Sequence, residues 1–567
     1  MKQTTNLMKR IFLLVSFFTA CSFFVSAADF MEDSICYNII GDNEVEVTSR
    51  DINYSGEVII PSSVVHDGIV YQVTRIGNNA FHSCFDLTSV DIPEGIKEIG
   101  NYAFAYCRKL SFVEFPNSLE RIDRYAFYYC QNITSFYITR NVKEMGWNPF
   151  TGCVSVTDFM CSGNNAYYKS VNGVLFSKDM TDLVAYPPAS AATTYDIPES
   201  VTSILLAAFS HSSNLKQVNI PESVIWVGPS AFLLCSGLES LVFPDGITYI
   251  GPSGVASCTN LTYLHLPANL DTIHNSTVYG LKSLTELTVP RTVRYIDNYA
   301  FNESSGLKTI TFEEGSCLEG IGQLAFDHCT SLETFDMPNT VITMAGQVFG
   351  NCTSLKYAHL SDNLTSMGGA TFWACTSLVE GEIPGGVQSI RNAFVNCTAL
   401  KRLKLGSKDS APGTTLIENS GITGCNQLER IELGANIDSL ENLALMDLQN
   451  VKVFICWAPT PPRCNDRWSC FSPSADRLTA PLYVPKASIE AYRTAYQWKD
   501  FQTIVPIEDV GDVNDDGNIS IADVTALIDI LLSGESITLP LADVNLDGDI
   551  SISDVTDLID RLLSNNG

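Results

Sequence analysis

The chain has 567 residues, a formal net charge of −29 and a pI near 4.5, and a surface so acidic repels polyphosphate and anionic lipid, which argues against nucleic acid as a partner. Its length exceeds what one hydrophobic core usually serves, leaving either several domains or an open-ended repeat array. Eighteen cysteines would suggest a disulfide framework in a secreted chain, so their spacing has to be read before that conclusion is drawn.

At the start, Lys2, Lys9 and Arg10 precede an apolar run from Ile11 to Val25 and the small residues Ser26-Ala27-Ala28. This predicts a cleaved secretory signal over 1–27, hence a secreted or cell-surface protein. A lipoprotein start through Phe18-Thr19-Ala20-Cys21 is the alternative. No later stretch reaches the ~18 apolar residues that span a bilayer, so the mature chain is expected not to insert into a membrane.

Residues 28–75 alternate polar and apolar residues around Gly41-Asp42-Asn43 and Asp67-Gly68, the pattern of short antiparallel strands. They would cap the open first coil of a repeat array. From there Asn78-Asn79-Ala80-Phe81-x-x-Cys84 returns as Asn101-Tyr102-Ala103-Phe104-x-x-Cys107 and Arg124-Tyr125-Ala126-Phe127-x-x-Cys130, and loosely as Asn148-Pro149-Phe150-x-x-Cys153. Between the anchors runs Leu87-x-x-Val90-x-Ile92-Pro93-x-x-Ile96-x-x-Ile99-Gly100, echoed from Leu238 to Gly251. A coil of this length cannot bury its own apolar edge, so neighbours must cover one another. The register resembles the BspA-type leucine-rich repeat of bacterial surface proteins. The resemblance implies a repeat solenoid over 76–480, of α/β class, with about 23 residues per coil and a parallel sheet on one face.

Eleven cysteines (84, 107, 130, 153, 235, 258, 329, 352, 375, 397 and 425) occupy the same slot of successive coils. Coils stack ~4.8 Å apart, whereas a disulfide needs Cβ atoms ~3.8 Å apart in a set dihedral. They are therefore expected to be buried, reduced thiols. Cys456, Cys464 and Cys470 lie outside this ladder, where a local disulfide between two of them remains open.

The period lapses over 154–195, where Asn172-Gly173 predicts a β-hairpin insertion. The array is expected to close with a cap over 481–507 that includes an amphipathic helix from Ser488 to Tyr496, and Ile507 to Val510 reads as a short linker. Beyond it, residues 511–567 carry twelve acidic side chains against one arginine.

Within that tail Asp512-x-Asn514-x-Asp516-Gly517-Asn518-x-x-x-x-Asp523 recurs 31 residues later as Asp543-x-Asn545-x-Asp547-Gly548-Asp549-x-x-x-x-Asp554. Oxygens at loop positions one, three, five and twelve converge on a hard cation. The glycine at six permits the turn, and position seven offers its main-chain carbonyl. Two Ca2+ sites are expected. Each loop leads into a helical face, Val524-Leu527-Ile528-Leu531-Leu532 and Val555-Leu558-Ile559-Leu562-Leu563, and no comparable helix enters the first loop. This loop–helix duplicate resembles a type I dockerin, a small all-α module that docks into a cohesin. It departs from familiar dockerins at Ile521-Ala522 and Ile552-Ser553, and at Ile528-Asp529 and Ile559-Asp560. The resemblance therefore carries the metal sites and a cohesin-type partner, but not a particular cohesin.

On the solenoid, the outward slots of the sheet place Tyr137, Tyr263, His265, Tyr357 and His359 in the open as a candidate ligand surface. No His-Glu-x-x-His, Gly-x-Ser-x-Gly or phosphate-binding glycine loop is present. The expected function is a non-catalytic secreted interaction protein. Its solenoid would bind an extracellular protein or glycan ligand, as the BspA resemblance implies for adhesion, and its dockerin would attach it to a cohesin-type partner. The alternative is an accessory subunit of a polysaccharide-degrading assembly.

Overall fold

The computed structural model describes residues 28–411, 415–418, 421–446, 449–465, 469–471, 479–533 and 539–564. The segment expected to be a secretory signal, 1–27, and with it Cys21, lies outside the described residues. The chain forms two compact units, 1–173 and 174–567.

In the first unit, Phe30–Glu32, Ile35–Gly41 and Glu44–Thr48 form an antiparallel meander. Strand Ile69–Ile76 pairs antiparallel with Ser63–His66 and parallel with Glu44–Thr48. Its far end then starts a parallel ladder of two-residue strands, Glu98–Ile99, Arg121–Ile122 and Glu144–Met145. A second parallel row is built mostly from longer strands, Gly56–Ile59 and Leu87–Asp91 with the two-residue Phe112–Val113, then Ser135–Ile138 with Asp158–Cys161. Each coil therefore contributes one strand to each row. Inward residues of the long strand (Leu87, Val90) and of the short strand (Ile99) are buried.

The Ala-Phe-x-x-Cys segment closes the coil. Where an α/β coil would place a helix, the structure has two consecutive tight turns, with Asn79 and Ser83 at φ +57° and +59° and their equivalents Tyr102 and Tyr106 at +55° and +63°. The left-handed residues turn alternate N–H groups outward along the stack. Asn79, Phe81 and Ser83 donate to the carbonyls of Asn101, Ala103 and Ala105 in the next coil, at 3.0, 2.7 and 2.8 Å, while Ala80, His82 and Cys84 donate three residues back. The corner is thus satisfied by its neighbour rather than by a helix of its own. Gly100 is required there, because a Cβ would sit 2.7 Å from the Asn78 side-chain oxygen and 2.9 Å from its backbone nitrogen.

Phe81, Phe104 and Phe127 stack with centroids 4.9 and 5.1 Å apart and interplanar angles of 2° and 7°. Each such pair contributes roughly 0.5–1.5 kcal/mol beyond its area. The cysteines are buried thiols that also act as donors: Cys107 Sγ reaches the Phe81 carbonyl at 3.0 Å, and Cys130 the Phe104 carbonyl at 3.0 Å. Burial pushes the Cys107 and Cys130 thiols well above the usual range. Asn172 and Gly173, at φ +50° and +79°, supply the two left-handed residues that a two-residue hairpin turn needs.

The second unit repeats this plan. Val174–Ser177 and Asp182–Ala185 pair antiparallel, and Asp182–Ala185 starts the short-strand ladder through Ser203–Ile204, Trp226–Val227 and Tyr249–Ile250. Long strands run in parallel through Gln217–Asn219, Ser240–Val242 and Tyr263–His265, and further on through Glu380–Ile383, Arg402–Leu405, Arg430–Leu433, Val453–Cys456, Leu482–Val484 and Ile504–Pro506. Phe301, Phe326, Phe349, Phe372 and Phe394 continue the ring stack at 4.8–5.7 Å. Ser304 stands in a cysteine slot and makes the same bond, Oγ to the Val278 carbonyl at 2.6 Å. Cys456, Cys464 and Cys470 are thiols.

The closing helix is Ile489–Thr494, shorter than the span read from sequence. It buries Tyr492, whose hydroxyl donates to the Ala458 carbonyl at 2.8 Å, and Trp498 Nε1 donates to the Pro462 carbonyl at 2.8 Å. The segment read as a linker is not a free tether. Ile507–Asp509 is a 3-10 turn and Val510 is buried in an apolar cluster. Helices Ile521–Ser533 and Ile552–Ser564 then pack on Val513, Val524, Leu527, Ala542, Val555 and Leu558. Among the described residues no helix is long and apolar enough to cross a membrane.

Candidate functional site

The two acidic loops fold alike. In the first, the Asp512 carboxylate accepts the N–H groups of Asp516 and Gly517 at 3.0 and 2.7 Å. Asn514 Oδ1 accepts from Asp516 N at 3.0 Å, and Asp516 Oδ1 from Asn518 N at 2.9 Å. Asp523, on the first turn of its helix, accepts from Asn514 N at 3.1 Å and Ser520 N at 2.8 Å. In the second loop Asp543 accepts from Asp547 and Gly548, Asn545 from Asp547, Asp547 from Asp549, and Asp554 from Val544, Asn545 and Ser551, all between 2.8 and 3.2 Å. Gly517 and Gly548, at φ +85° and +93°, make the sharp turn that position six demands.

Burial is what makes these loops chemically specific. Asp512, Asp523, Asp543 and Asp554 are 0–5% exposed, so two carboxylates in each loop are withdrawn from water within one short turn. For Asp543, burial comes first among the causes that push its carboxyl up to about 6, with the charges of Asp554 and Asp547 adding to it and two backbone N–H groups opposing. Buried like charges are costly unless paired, and each carboxylate has about four lone-pair directions, more than its N–H partners use. A divalent cation with a preference for oxygen fits this donor set. Among the described residues no three His, Cys, Asp or Glu side chains form a ready-made cluster; in the expected loops Asn side chains and main-chain carbonyls complete the set.

On the other side of the same helices the apolar residues are exposed, and they match position by position: Ile521 with Ile552, Ile528 with Ile559, Leu532 with Leu563.

The sheet-face residues are exposed but dispersed. Tyr137 is exposed in the first unit. In the second, Tyr263 and His265 share one strand, with His265 Nε2 3.4 Å from Asp245 Oδ1. Tyr357 and His359 share another, separated from the first by the strands that begin at Glu286, Thr309 and Thr334. His359 lines a depression of about 330 Å3 with Asp362, Glu382, Lys404 and Ser407, in which Lys404 Nζ contacts Glu382 Oε1 at 2.5 Å. Within the second unit the structure therefore does not unite Tyr263 and His265 with Tyr357 and His359 into one site. It also places an aromatic row on the short-strand side that the sequence reading did not single out: Trp226 and Tyr249 stack at 5.8 Å and 5°, and Tyr249 meets His274 at 5.0 Å. Its signal was the residue beside the buried Val or Ile of each short strand, preceding it at Trp226 and Tyr249 and following it at His274.

With the coil geometry established, comparison with known proteins is direct. The chain matches the BspA type leucine rich repeat region, in six copies, over residues 69–178, 188–308, 271–401 and 382–458, and it belongs to that family. Residues 510–563 match the dockerin type I domain, a calcium-binding module. A leucine-rich repeat protein of Bacteroides ovatus is similar over 76% of this chain and 99% of its own, at 24% identity and a TM-score of 0.44. A leucine rich cell surface protein of Faecalibacterium prausnitzii is similar over 59% and 95%, at 20% identity and a TM-score of 0.34. No curated protein matches. The combination defines a protein-interaction chain, a repeat solenoid joined to a module that docks to cohesin.

Proposed function

We propose that this is a secreted, non-catalytic adaptor. Its dockerin, loaded with two Ca2+ ions, attaches it to a cohesin-type module, and its solenoid takes an extracellular protein ligand on the exposed sheet face. The observation that carries the docking half is the pair of matched apolar faces, Ile521, Ile528 and Leu532 beside Ile552, Ile559 and Leu563, left in water while Leu527 and Leu558 form the core. Apolar anchors at equivalent helical positions suit helix-face recognition. Calcium would be held by Asp512, Asn514, Asp516, Asn518 and Asp523, and by Asp543, Asn545, Asp547, Asp549 and Asp554, with Asn518 and Asp549 giving main-chain oxygen. The ion neutralises the buried carboxylates, and so links binding to the order of the helices. BspA-type repeats and dockerins are typical of extracellular proteins, which supports export through the predicted signal.

The test uses the full mature chain against a panel of cohesin modules, immobilised matrix proteins and glycans, in calcium and in EDTA. Capture by a cohesin in calcium, lost in EDTA and in Ile528→Asp with Ile559→Asp, is expected. Retention of a matrix protein would be weakened by Tyr263→Ala with Tyr357→Ala. Cohesin capture that ignores both helix substitutions would refute the docking face, and glycan retention in place of protein would favour the polysaccharide-degrading assembly.

A further inference from the structure

Outward slots of the long-strand sheet change character in the last coils. Arg430 and Glu432 alternate with buried Ile431 and Leu433 on their strand, but in the register positions of the next strands stand Val453 and Ile455, then Tyr483 and Val505, all buried. These four, with Val510, form one apolar cluster against Leu541 and Leu546 of the module. A sheet face that should meet water is instead covered by the second calcium loop.

Polar contacts surround this seam. Arg430 Nη1 donates to the carbonyls of Asn545 and Leu546 at 3.2 and 2.5 Å. Lys452 Nζ lies 3.1 Å from both carboxylate oxygens of Asp549, and the Tyr483 hydroxyl donates to the Pro540 carbonyl at 3.1 Å. Gly548 presses on the Lys452 stem, where an added Cβ would come within 2.7 Å.

The first loop, folded alike, has none of this. Where the second has Leu546 and Asp549, the first has Asp515 and Asn518, both exposed, and Gly517 has open space around it. Asp515 and Leu546 both sit at positive φ, +58° and +56°, a conformation that suits Asp and is uncommon for Leu. The leucine is placed in an unfavourable backbone region where it can enter the apolar cluster.

We propose that the second calcium loop is also a latch: it seats the module on the last coils of the solenoid, and calcium at that loop and seating on the solenoid reinforce each other. The first loop takes no part. The inference rests on the calcium reading above. Positions three to seven of the loop are gripped from one side by the ion and from the other by Arg430 and Lys452, so ordering that stretch once serves both partners, and the coupling must be reciprocal. Simple charge repulsion would act the other way. It is muted because Lys452 is already neutralised by the Asp549 carboxylate, which is not itself an expected ligand group, and because the pair is solvent-screened.

The opposite signs make the test decisive. In the full chain with loop one silenced by Asn514→Ala and Asp516→Ala, calcium is titrated calorimetrically before and after Arg430→Ala with Lys452→Ala, which contact the Asn545 and Leu546 carbonyls and the Asp549 carboxylate, none of them an expected ligand atom. The expected result is about a tenfold weaker affinity, together with faster proteolysis between Ile507 and Gly511 in calcium, matching the rate of the parent in EDTA. An unchanged or tighter affinity overturns the latch. As a second measurement, Asp554→Ala should expose the 507–511 segment in calcium and Asp523→Ala should not; equal exposure also overturns it. A parent that takes up no calcium at loop two strikes the calcium reading itself, a result distinct from calcium uptake that ignores the pair.

Discussion

A coil of the solenoid and a loop of the module solve the same problem by different means. In the coil, carboxylates meet bases one turn away, as in Lys109 with Asp86, Lys216 with Glu239 and Lys356 with Glu333 at 2.7–3.1 Å. Backbone donors of the corner find carbonyls in the next turn. In the loop, Asp543 and Asp554 are buried together and accept backbone N–H groups and, at Asp554, the Ser551 hydroxyl at 3.4 Å, with no base beside them among the described residues. The first arrangement is complete as folded, and the second gains from a cation. Stability of the one should therefore be indifferent to calcium, and stability of the other should not.

The contrast breaks most visibly if the ring stack is cut. Phe326→Ala should cost about 3–5 kcal/mol in urea denaturation, equally in calcium and EDTA, since Phe326 lies fully buried between Phe301 and Phe349; rescue by calcium would erase the distinction. Next in size, calcium at a hundredfold excess over its dissociation constant should stabilise the module by about 2.7 kcal/mol, read as slower hydrogen exchange at the Leu527 and Leu558 amides with no change at Phe326.

A pH scan sharpens the solenoid side. Burial holds the His211 imidazole down to about 4, from an ordinary 6.5. Its stabilising contribution is complete above about pH 6.5 and is lost as pH falls toward 4, because the unfolded chain takes up the proton first. With the ring partly exposed, the loss should be about 1–2 kcal/mol, and His211→Asn should flatten that part of the stability curve. Smallest is the cysteine slot. Cys352→Ser should cost less than about 1 kcal/mol, since Ser304 already fills such a slot with a hydroxyl donor, whereas Cys352→Ala removes the 3.2 Å thiol bond to the Phe326 carbonyl, leaving it only the Cys329 N–H at 3.1 Å, and should cost about 0.5–1.5 kcal/mol. A serine variant weaker than the alanine one would show that volume, not the donated bond, decides the slot.

Much of the fold and of the two loops is legible in the residues because it is periodic. Phe81, Phe104 and Phe127 recur at one spacing, and so do the glycines and carboxylates of the two loops. The helix an α/β coil implies is replaced by left-handed corners, since residues such as Asn79 and Ser83 can turn there and hand their backbone donors to the next coil. The thiol bonds are hidden because spacing shows burial but not where an S–H points. The seam looks like a linker for a different reason. Ile507 to Val510 is short and half acidic, with Glu508 and Asp509 at its centre, and nothing within it shows that Leu541 and Leu546 cover it. The hint lies elsewhere, in Val453, Ile455 and Tyr483 occupying slots that the preceding strand fills with Arg430 and Glu432.

The corner ladder constrains how such a chain can grow or shrink. Its bonds join residues 22 apart in the first coils, Asn79 to Asn101 and Phe81 to Ala103, yet Tyr299 reaches Gln323 and Phe301 reaches Ala325, 24 apart. The surplus is taken up between strand Thr309–Phe312 and strand Gly320–Ile321, at the turn around Gly315. Small insertions are accommodated at such a turn, outside the ladder, while within the ladder itself a change in length must come as an entire coil.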